Sequence, residues 1–214
     1  MIHRDGLKII LTAFILAFAL LMGGFVFDMN LLTLLFWPVF LFFLFSLWFF
    51  RNPDRNTPEG ERLIVSPADG KVVEIVDTED DYVGTARKVS IFMSVFNVHV
   101  NRIPMGGTVR SIDHQAGRFR AAMQPEASFE NERTTITLEN AQMRLKFAQV
   151  AGLIARRIVC RLEPGQVVMT GAPFGMIKFG SRVDLWMPRS VELRVAVGDR
   201  VTAGETVVGE VTCD

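Results

Sequence analysis

The chain is poor in the residues that metal and thiol chemistry need: two cysteines and three histidines in 214 residues. Cys160 and Cys213 lie far apart and form no Cys-x-x-Cys pair. Two thiols cannot build a tetrahedral zinc site without several histidines, so they read as free thiols of a reducing compartment. Neither His-x-His nor His-Glu-x-x-His occurs, which leaves a zinc hydrolase without support, and no metal is expected. A Gly-x-x-x-x-Gly-Lys-Ser/Thr phosphate loop and a Gly-x-Ser-x-Gly elbow are also missing. No sign of charge dominates, since 23 Lys and Arg balance 23 Asp and Glu. That excludes the basic footprint of a nucleic-acid binder, and no nucleic-acid partner is expected.

What the chain has in excess is apolar length. Lys8–Phe27 reads KIILTAFILAFALLMGGFVF and Leu31–Phe50 reads LLTLLFWPVFLFFLFSLWFF. Each run of about twenty residues can cross about 30 Å of hydrocarbon as a helix. Only Asp28-Met29-Asn30 separates them, which predicts a tight transmembrane hairpin, with helices over 8–27 and 31–50 and both outer ends on one side. Pro38 should kink the second helix modestly. The rival, a cleaved signal peptide, lacks an Ala-x-Ala-like site before Asp28, and a second apolar run follows at once. His3, Arg4 and Lys8 flank one outer end, Arg51 and Arg55 the other, and the link carries no positive charge. The positive-inside rule therefore places both ends, and everything after residue 50, on the cytoplasmic side of the inner membrane.

Residues 1–50 are thus read as the anchor, 51–62 as a polar, proline-bearing linker, and 63–214 as one soluble domain. In that domain short apolar runs alternate with turn residues, as in Lys71–Val76, Val89–Met93, Thr134–Leu138, Met143–Val150 and Val183–Met187. Such punctuation indicates a mainly β domain, with a minor helical part around Phe119–Met123. The run Val195–Val211 carries glycines where turns need positive φ, as do Gly165 and Gly171. These Val-x-x-Gly-Asp-x-Val-x-x-Gly turns resemble those of barrel-sandwich lipoyl and biotinyl carriers, which gives the soluble domain a barrel-sandwich-like reading.

Taken singly, the polar residues of this domain are unremarkable. His99 lies in Asn97-Val98-His99-Val100-Asn101-Arg102-Ile103-Pro104, and His114 in Ile112-Asp113-His114-Gln115. Asp69 lies in Pro67-Ala68-Asp69-Gly70, which alone reads as a turn before a strand. Arg133 ends Glu130-Asn131-Glu132-Arg133. Lys178 precedes Phe179-Gly180-Ser181-Arg182-Val183-Asp184.

In that order, Pro-Ala-Asp-Gly, Asn-Val-His-Val-Asn-Arg-Ile-Pro, Glu-Asn-Glu-Arg and Phe-Gly-Ser-Arg-Val-Asp together resemble the phosphatidylserine decarboxylase proenzymes. The closer match is to their short, membrane-anchored branch. The resemblance covers Leu63 to Val211, and a membrane hairpin suits a lipid substrate. It implies that the Ser181 hydroxyl attacks the Gly180 carbonyl, so that the chain cuts itself between 180 and 181. Glycine lets the hydroxyl approach, and the hydroxyl needs a base. The large (1–180) and small (181–214) chains then stay together as a heterodimer. Ser181 becomes a covalent pyruvoyl group, which forms a Schiff base with the phosphatidylserine amine and acts as the electron sink for loss of carbon dioxide. No separately bound cofactor is needed.

The resemblance also makes Asp69 and His99 the acid–base candidates, with His99 the proton donor after decarboxylation and Asp69 the orienting carboxylate, as in a serine triad. Arg102 stands where longer members carry a second histidine associated with cleavage, so His99 and His114 both stay open as the cleavage base. Arg102, Arg133 and Lys178 are candidates for holding the substrate phosphate or carboxylate. A different class also fits the anchor and the turns: a membrane-anchored carrier or adaptor without activity, modified on Lys178 at a hairpin tip. A cell-wall zinc peptidase, the other rival, lacks the histidines.

Overall fold

The computed structural model describes residues 1–117, 130–152, 157–178 and 180–211. The expected helix at Phe119–Met123 and the residue Cys213 lie outside them. The chain divides into two compact units, Met1–Asp54 and Arg55–Asp214.

The first unit is a pair of helices, α1 (Arg4–Val26) and α2 (Asn30–Phe49). α1 begins at Arg4 rather than Lys8 because His3 caps it. The ring Nδ1 of His3 accepts from the Asp5 N–H at 3.4 Å, and Asp5 supplies negative charge to the first turn. Asp28 turns the chain at φ +51°, a left-handed conformation that Asp tolerates better than most residues. Gly24 lets the helices approach, since a Cβ there would meet Thr33 Oγ1 at 2.5 Å. At the open end the His3 N–H donates to the Phe50 carbonyl at 2.8 Å. Phe14, Ile15, Phe18, Leu34, Trp37 and Leu41 face outward. Both helices, of 23 and 20 residues, are long and apolar enough to cross a membrane.

The second unit is built from antiparallel strands. From its start run β1 (Leu63–Val65), β2 (Gly70–Asp80), β3 (Gly84–Met93), β4 (Val100–Arg102) and β5 (Gly107–Gln115). Then follow β6 (Arg133–Glu139), β7 (Arg144–Val150), β8 (Ile158–Cys160), β9 (Val167–Val168) and β10 (Pro173–Ile177). β11 (Ser181–Pro188), β12 (Val191–Leu193), β13 (Arg200–Val201) and β14 (Val207–Val211) complete the described set. Every apolar run named above falls on one of these strands, with Met143 just outside β7. The main sheet has the order β13-β2-β3-β11-β7-β6-β5-β9, and two three-stranded sheets, β1-β14-β12 and β4-β10-β8, accompany it. The fold is therefore mainly β with an N-terminal helical pair. Gly165, Gly171, Gly198 and Gly204 do turn the chain at positive φ, whereas Gly209 sits inside β14, where a Cβ would strike Val191.

Successive strand residues point to opposite faces, and the two faces of the main sheet differ. Val72, Ile91, Met93, Leu145, Phe147, Val183 and Leu185 fill one face and are wholly buried. Each such burial contributes about 1.5–3 kcal/mol. The other face carries Glu74, Lys88, Ser90, Arg182 and Asp184, in register across β2, β3 and β11.

Candidate active site

Ser181 opens β11, the strand hydrogen-bonded to β3 on one side and β7 on the other. Its side chain is completely buried on the apolar face, opposite Met93. The Ser181 hydroxyl donates to Met93 Sδ at 3.4 Å, and a thioether is a weak acceptor. Gly180 stands just before it at φ +52°. A Cβ there would meet nothing within 4 Å, so the conformation rather than space calls for glycine; an L side chain in that region costs about 1–2 kcal/mol.

The histidine motif reaches this junction through β4 and β10. Val100 pairs with Met176 and Asn101 with Gly175, and the Ile177 N–H donates to the His99 carbonyl at 3.4 Å. β10 ends at Ile177, so His99 is held against the segment that runs into Gly180 and Ser181. The ring is fully buried, and its Nδ1 lies 3.0 Å from the Asn97 carbonyl. A carbonyl only accepts, so Nδ1 carries the hydrogen and Nε2 holds the lone pair of the neutral ring. That tautomer suits a group that takes a proton at Nε2 and later returns it.

Asp69 lies at the same end of the main sheet, two residues before Lys71, which pairs with Phe92, the neighbour of Arg182. Its partners differ from those of a triad. Arg55 Nη2 donates to both carboxylate oxygens at 3.0 and 2.9 Å, and the Ala203 N–H donates to Oδ1 at 2.8 Å. Arg55 also approaches Glu205 at 3.6 Å. The carboxylate is thus engaged by arginine and backbone, not by a histidine ring.

The remaining sequence candidates are scattered. Arg102 is buried and donates through Nη1 to the Gly171 carbonyl at 2.9 Å, bracing the end of β4 against the turn before β10. Lys178 is half-buried, and its backbone N–H donates to the Arg157 carbonyl at 3.2 Å. Arg133 pairs with Val150, which pairs with Arg182, so its side chain leaves the face opposite to Ser181. There it borders a cleft of about 590 Å³ with Lys88, Lys146 and Trp186. His114 shares the Ser181 face but lies three strands away, about 14 Å at strand spacing. It is exposed, with Nδ1 2.9 Å from Thr134 Oγ1. Another cleft, of about 610 Å³ near Thr57, Gly106 and Asn140, also excludes Ser181.

Sequence reasoning missed two clusters. Behind Ser181, Asn101 Nδ2 donates to Met93 Sδ at 3.7 Å, and Gln149 Nε2 donates to Asn101 Oδ1 at 2.8 Å. Gln149 occupies the core-facing parity of β7 after Leu145 and Phe147, and a polar residue at that parity is the signal that could have found it. On the opposite face, Arg182 Nε donates to Asp184 Oδ1 at 2.6 Å and its Nη2 to Glu74 Oε2 at 3.1 Å. Lys88 Nζ adds a contact of 2.8 Å to the same oxygen. Burial pushes the Glu74 carboxyl up, but Lys88, Arg182 and Ser90 outweigh it and hold the group below the ordinary glutamate value. Cys160 is half-buried and burial pushes its thiol up, which keeps it a poor nucleophile at neutral pH. No group of three metal-ligating side chains occurs among the described residues.

In class, the molecule is a β-domain protein with two N-terminal apolar helices and a serine buried at a Gly-Ser junction. Residues 42–209 match the family profile described as phosphatidylserine decarboxylase. A phosphatidylserine decarboxylase proenzyme of Chlorobium chlorochromatii is 52% identical over 170 residues, covering 79% of this chain and 80% of its own. Those of Chlorobaculum tepidum and Syntrophus aciditrophicus are 49% and 51% identical over 170 and 169 residues, covering 79% and 78% of this chain and 79% of each relative. The chain belongs to the phosphatidylserine decarboxylase family, and is a carboxy-lyase by that membership.

Proposed function

We propose that the chain cuts itself between Gly180 and Ser181 and, once cut, converts phosphatidylserine to phosphatidylethanolamine and carbon dioxide. The observation that carries this reading is the burial of the Ser181 hydroxyl behind a left-handed glycine, at the start of a strand flanked on both sides. A surface Gly-Ser turn would need neither burial nor a central strand.

In the first step the Ser181 oxygen attacks the Gly180 carbonyl and loses its proton to a base. The base proposed here is His99 through Nε2, whose segment pairs with β10, rather than His114 on β5, three strands from β11. The Gly180 carbonyl then forms an ester with the oxygen, and the nitrogen of residue 181 takes up a proton as a free amine. Loss of the 181 α-hydrogen and departure of the Gly180 carboxylate leave a double bond. Water then releases ammonia and leaves a ketone. The pyruvoyl group so made supplies an electron sink for the bond to the departing carboxylate. His99 is positioned to return a proton to the product. Asp69, held by Arg55 and Ala203, fixes negative charge at this end of the sheet. Lys178, in the segment leading to the cut, is the proposed cation for the substrate's phosphate or carboxylate. Arg102 and Arg133 are otherwise engaged or otherwise placed.

After cutting, residues 181–214 remain joined to 1–180 through three sets of ladders: β11 with β3 and β7, β13 with β2, and β14 with β1. We further propose that residues 1–50 anchor the protein in the inner membrane through a linker at 51–62, with the catalytic domain 63–214 on the cytoplasmic side. The carrier alternative loses its main support. Lys178 does not lie at a hairpin tip, because β10 pairs with β4 and β8 while β11 pairs with β3 and β7.

Intact mass measurement of the purified protein, with labelled phosphatidylserine and trapped carbon dioxide, tests the reading. The expected result is two fragments, a small one lacking a free amino terminus, and release of label. Ser181→Ala should remain whole and inactive. An uncut preparation that still releases carbon dioxide would overturn the proposal.

A further inference from the structure

The structure assigns a role to a pair that the proposed self-cleavage leaves unused: Asn101 is the side-chain donor that stabilises the oxyanion formed when the Ser181 oxygen adds to the Gly180 carbonyl, and Gln149 is the residue that positions it. This inference rests on the self-cleavage reading and deepens it.

The orientation of the two amides is fixed by chemistry. Gln149 Nε2 lies 3.3 Å from the Val159 carbonyl and 2.8 Å from Asn101 Oδ1. A carbonyl can only accept, so the nitrogen of Gln149 faces Val159. The same nitrogen then requires an oxygen on Asn101. The Asn101 amide nitrogen is thereby turned to Met93 Sδ, at 3.7 Å, the sulfur that receives the Ser181 hydroxyl at 3.4 Å. The donor and the nucleophile converge on one soft atom.

That arrangement carries a cost which stability alone does not explain. Gln149 Oε1 is buried and has no partner among the described residues. Gln149 and Asn101 are both wholly buried, where polar groups are normally satisfied. Room for the amides depends on Gly175 of β10, where a Cβ would lie 2.2 Å from the Val159 carbonyl oxygen and 3.2 Å from Gln149 Nε2. Gln149 is opposite Val183, which makes it the diagonal neighbour of Ser181 on the same face, within reach of a long side chain.

A donor resting on a thioether is only weakly bound and can be given up cheaply. When the serine oxygen leaves the sulfur for the carbonyl carbon, a C–O bond forms, the serine proton passes to the base, and the carbonyl oxygen takes up negative charge. The Asn101 N–H is then a preset donor for that charge. It is worth most in a site without water. Collapse of the adduct breaks the C–N bond and returns the proton to the nitrogen of residue 181.

The test follows cleavage of the full chain made by cell-free synthesis with detergent, chased over time, with and without hydroxylamine. Hydroxylamine splits the ester but not the amide, so it reports whether the acyl shift has occurred. Asn101→Asp keeps the shape and the acceptor for Gln149 but removes the donor. Its cleavage should slow by about a hundredfold or more, and hydroxylamine should release no extra fragment. Gln149→Glu should do the same, because it presents an oxygen to Asn101 and turns that amide around. Thermal unfolding of the uncut variants checks folding; if Asn101→Asp does not fold, Gln149→Glu decides. Wild-type cleavage rates in a folded variant would overturn the inference alone, as would rapid fragment release by hydroxylamine, which would place Asn101 after the shift. A wild-type chain that never cuts would overturn the self-cleavage reading and this inference together.

Discussion

The two faces of β11 are built on opposite electrostatic plans, although their residues alternate along eight positions of one strand. Arg182 and Asp184 face Glu74 and Lys88 in short ion pairs, and the Ser90 hydroxyl adds a donor to Glu74. Ser181, one residue away, faces a thioether and two neutral amides. Buried charge pairs hold geometry strongly once both partners are present, because loss of either leaves an uncompensated ion. Neutral, weakly bonded groups can exchange partners at small cost. The difference fits a division of labour in the proposed cleavage, with one face clamping the strand and the other able to rearrange.

Breaking the clamp should have the largest effect. Asp184→Asn, made in the uncut Ser181→Ala chain, leaves the fully buried Arg182 short of its closest carboxylate. The expected loss is about 3–5 kcal/mol of stability, measured by denaturant unfolding in detergent. A loss under about 0.5 kcal/mol would mean that the two faces do not differ as described.

Gly180→Ala comes next. The position has open space but a left-handed backbone, so the precursor should fold with a loss of about 1–2 kcal/mol and cut itself more slowly, as read from fragment ratios over time. Unchanged stability together with unchanged cleavage would show that the conformation carries no strain.

The charged face should also show itself in acid. The Glu74 carboxyl titrates below its ordinary value of 4.5. Its contribution is therefore fully present above that value and is lost as pH falls through the lower, folded one. Glu74→Gln should flatten the fall in melting temperature below about pH 5; parallel curves for the two proteins would remove Glu74 from the clamp.

The smallest effects belong to residues that the structure sets apart from Ser181. His114→Gln and Arg133→Gln should each change stability by no more than about 0.5 kcal/mol and leave the cleavage half-time unchanged. A slow His114→Gln chain would restore that ring as the cleavage base.

The helices were legible because hydropathy and length are local properties. Only the start of α1 escaped, since a histidine cap is not a usual one. Strands β2, β3, β6, β7 and β11 were legible as apolar runs between turn residues, whereas β4, β5, β8 and β10 were not picked out. Gly180, Ser181 and His99 were legible as motif members, and the β4–β10 ladder does hold the histidine segment against the strand leading to the junction. Partner choice was another matter. That Asp69 takes Arg55 rather than a histidine depends on tertiary docking, since its backbone partner Ala203 lies 134 positions after Asp69. The engagement of Arg102 with Gly171 likewise spans 69 positions. Gln149 was visible as a glutamine in an apolar run, yet its meaning depends on register: a slip of one residue would send it to the charged face.

Placing the junction at the head of an interior strand has a consequence for how the protein can be assembled. A sheet that lacks β11 offers two raw edges, β3 and β7, each with unsatisfied backbone groups inclined to pair with any passing strand. Under the proposed cleavage, folding must therefore precede scission, and the two pieces made from separate genes should aggregate rather than combine. The uncut polypeptide would then serve as its own template, with the proposed break coming only after the architecture no longer needs the bond.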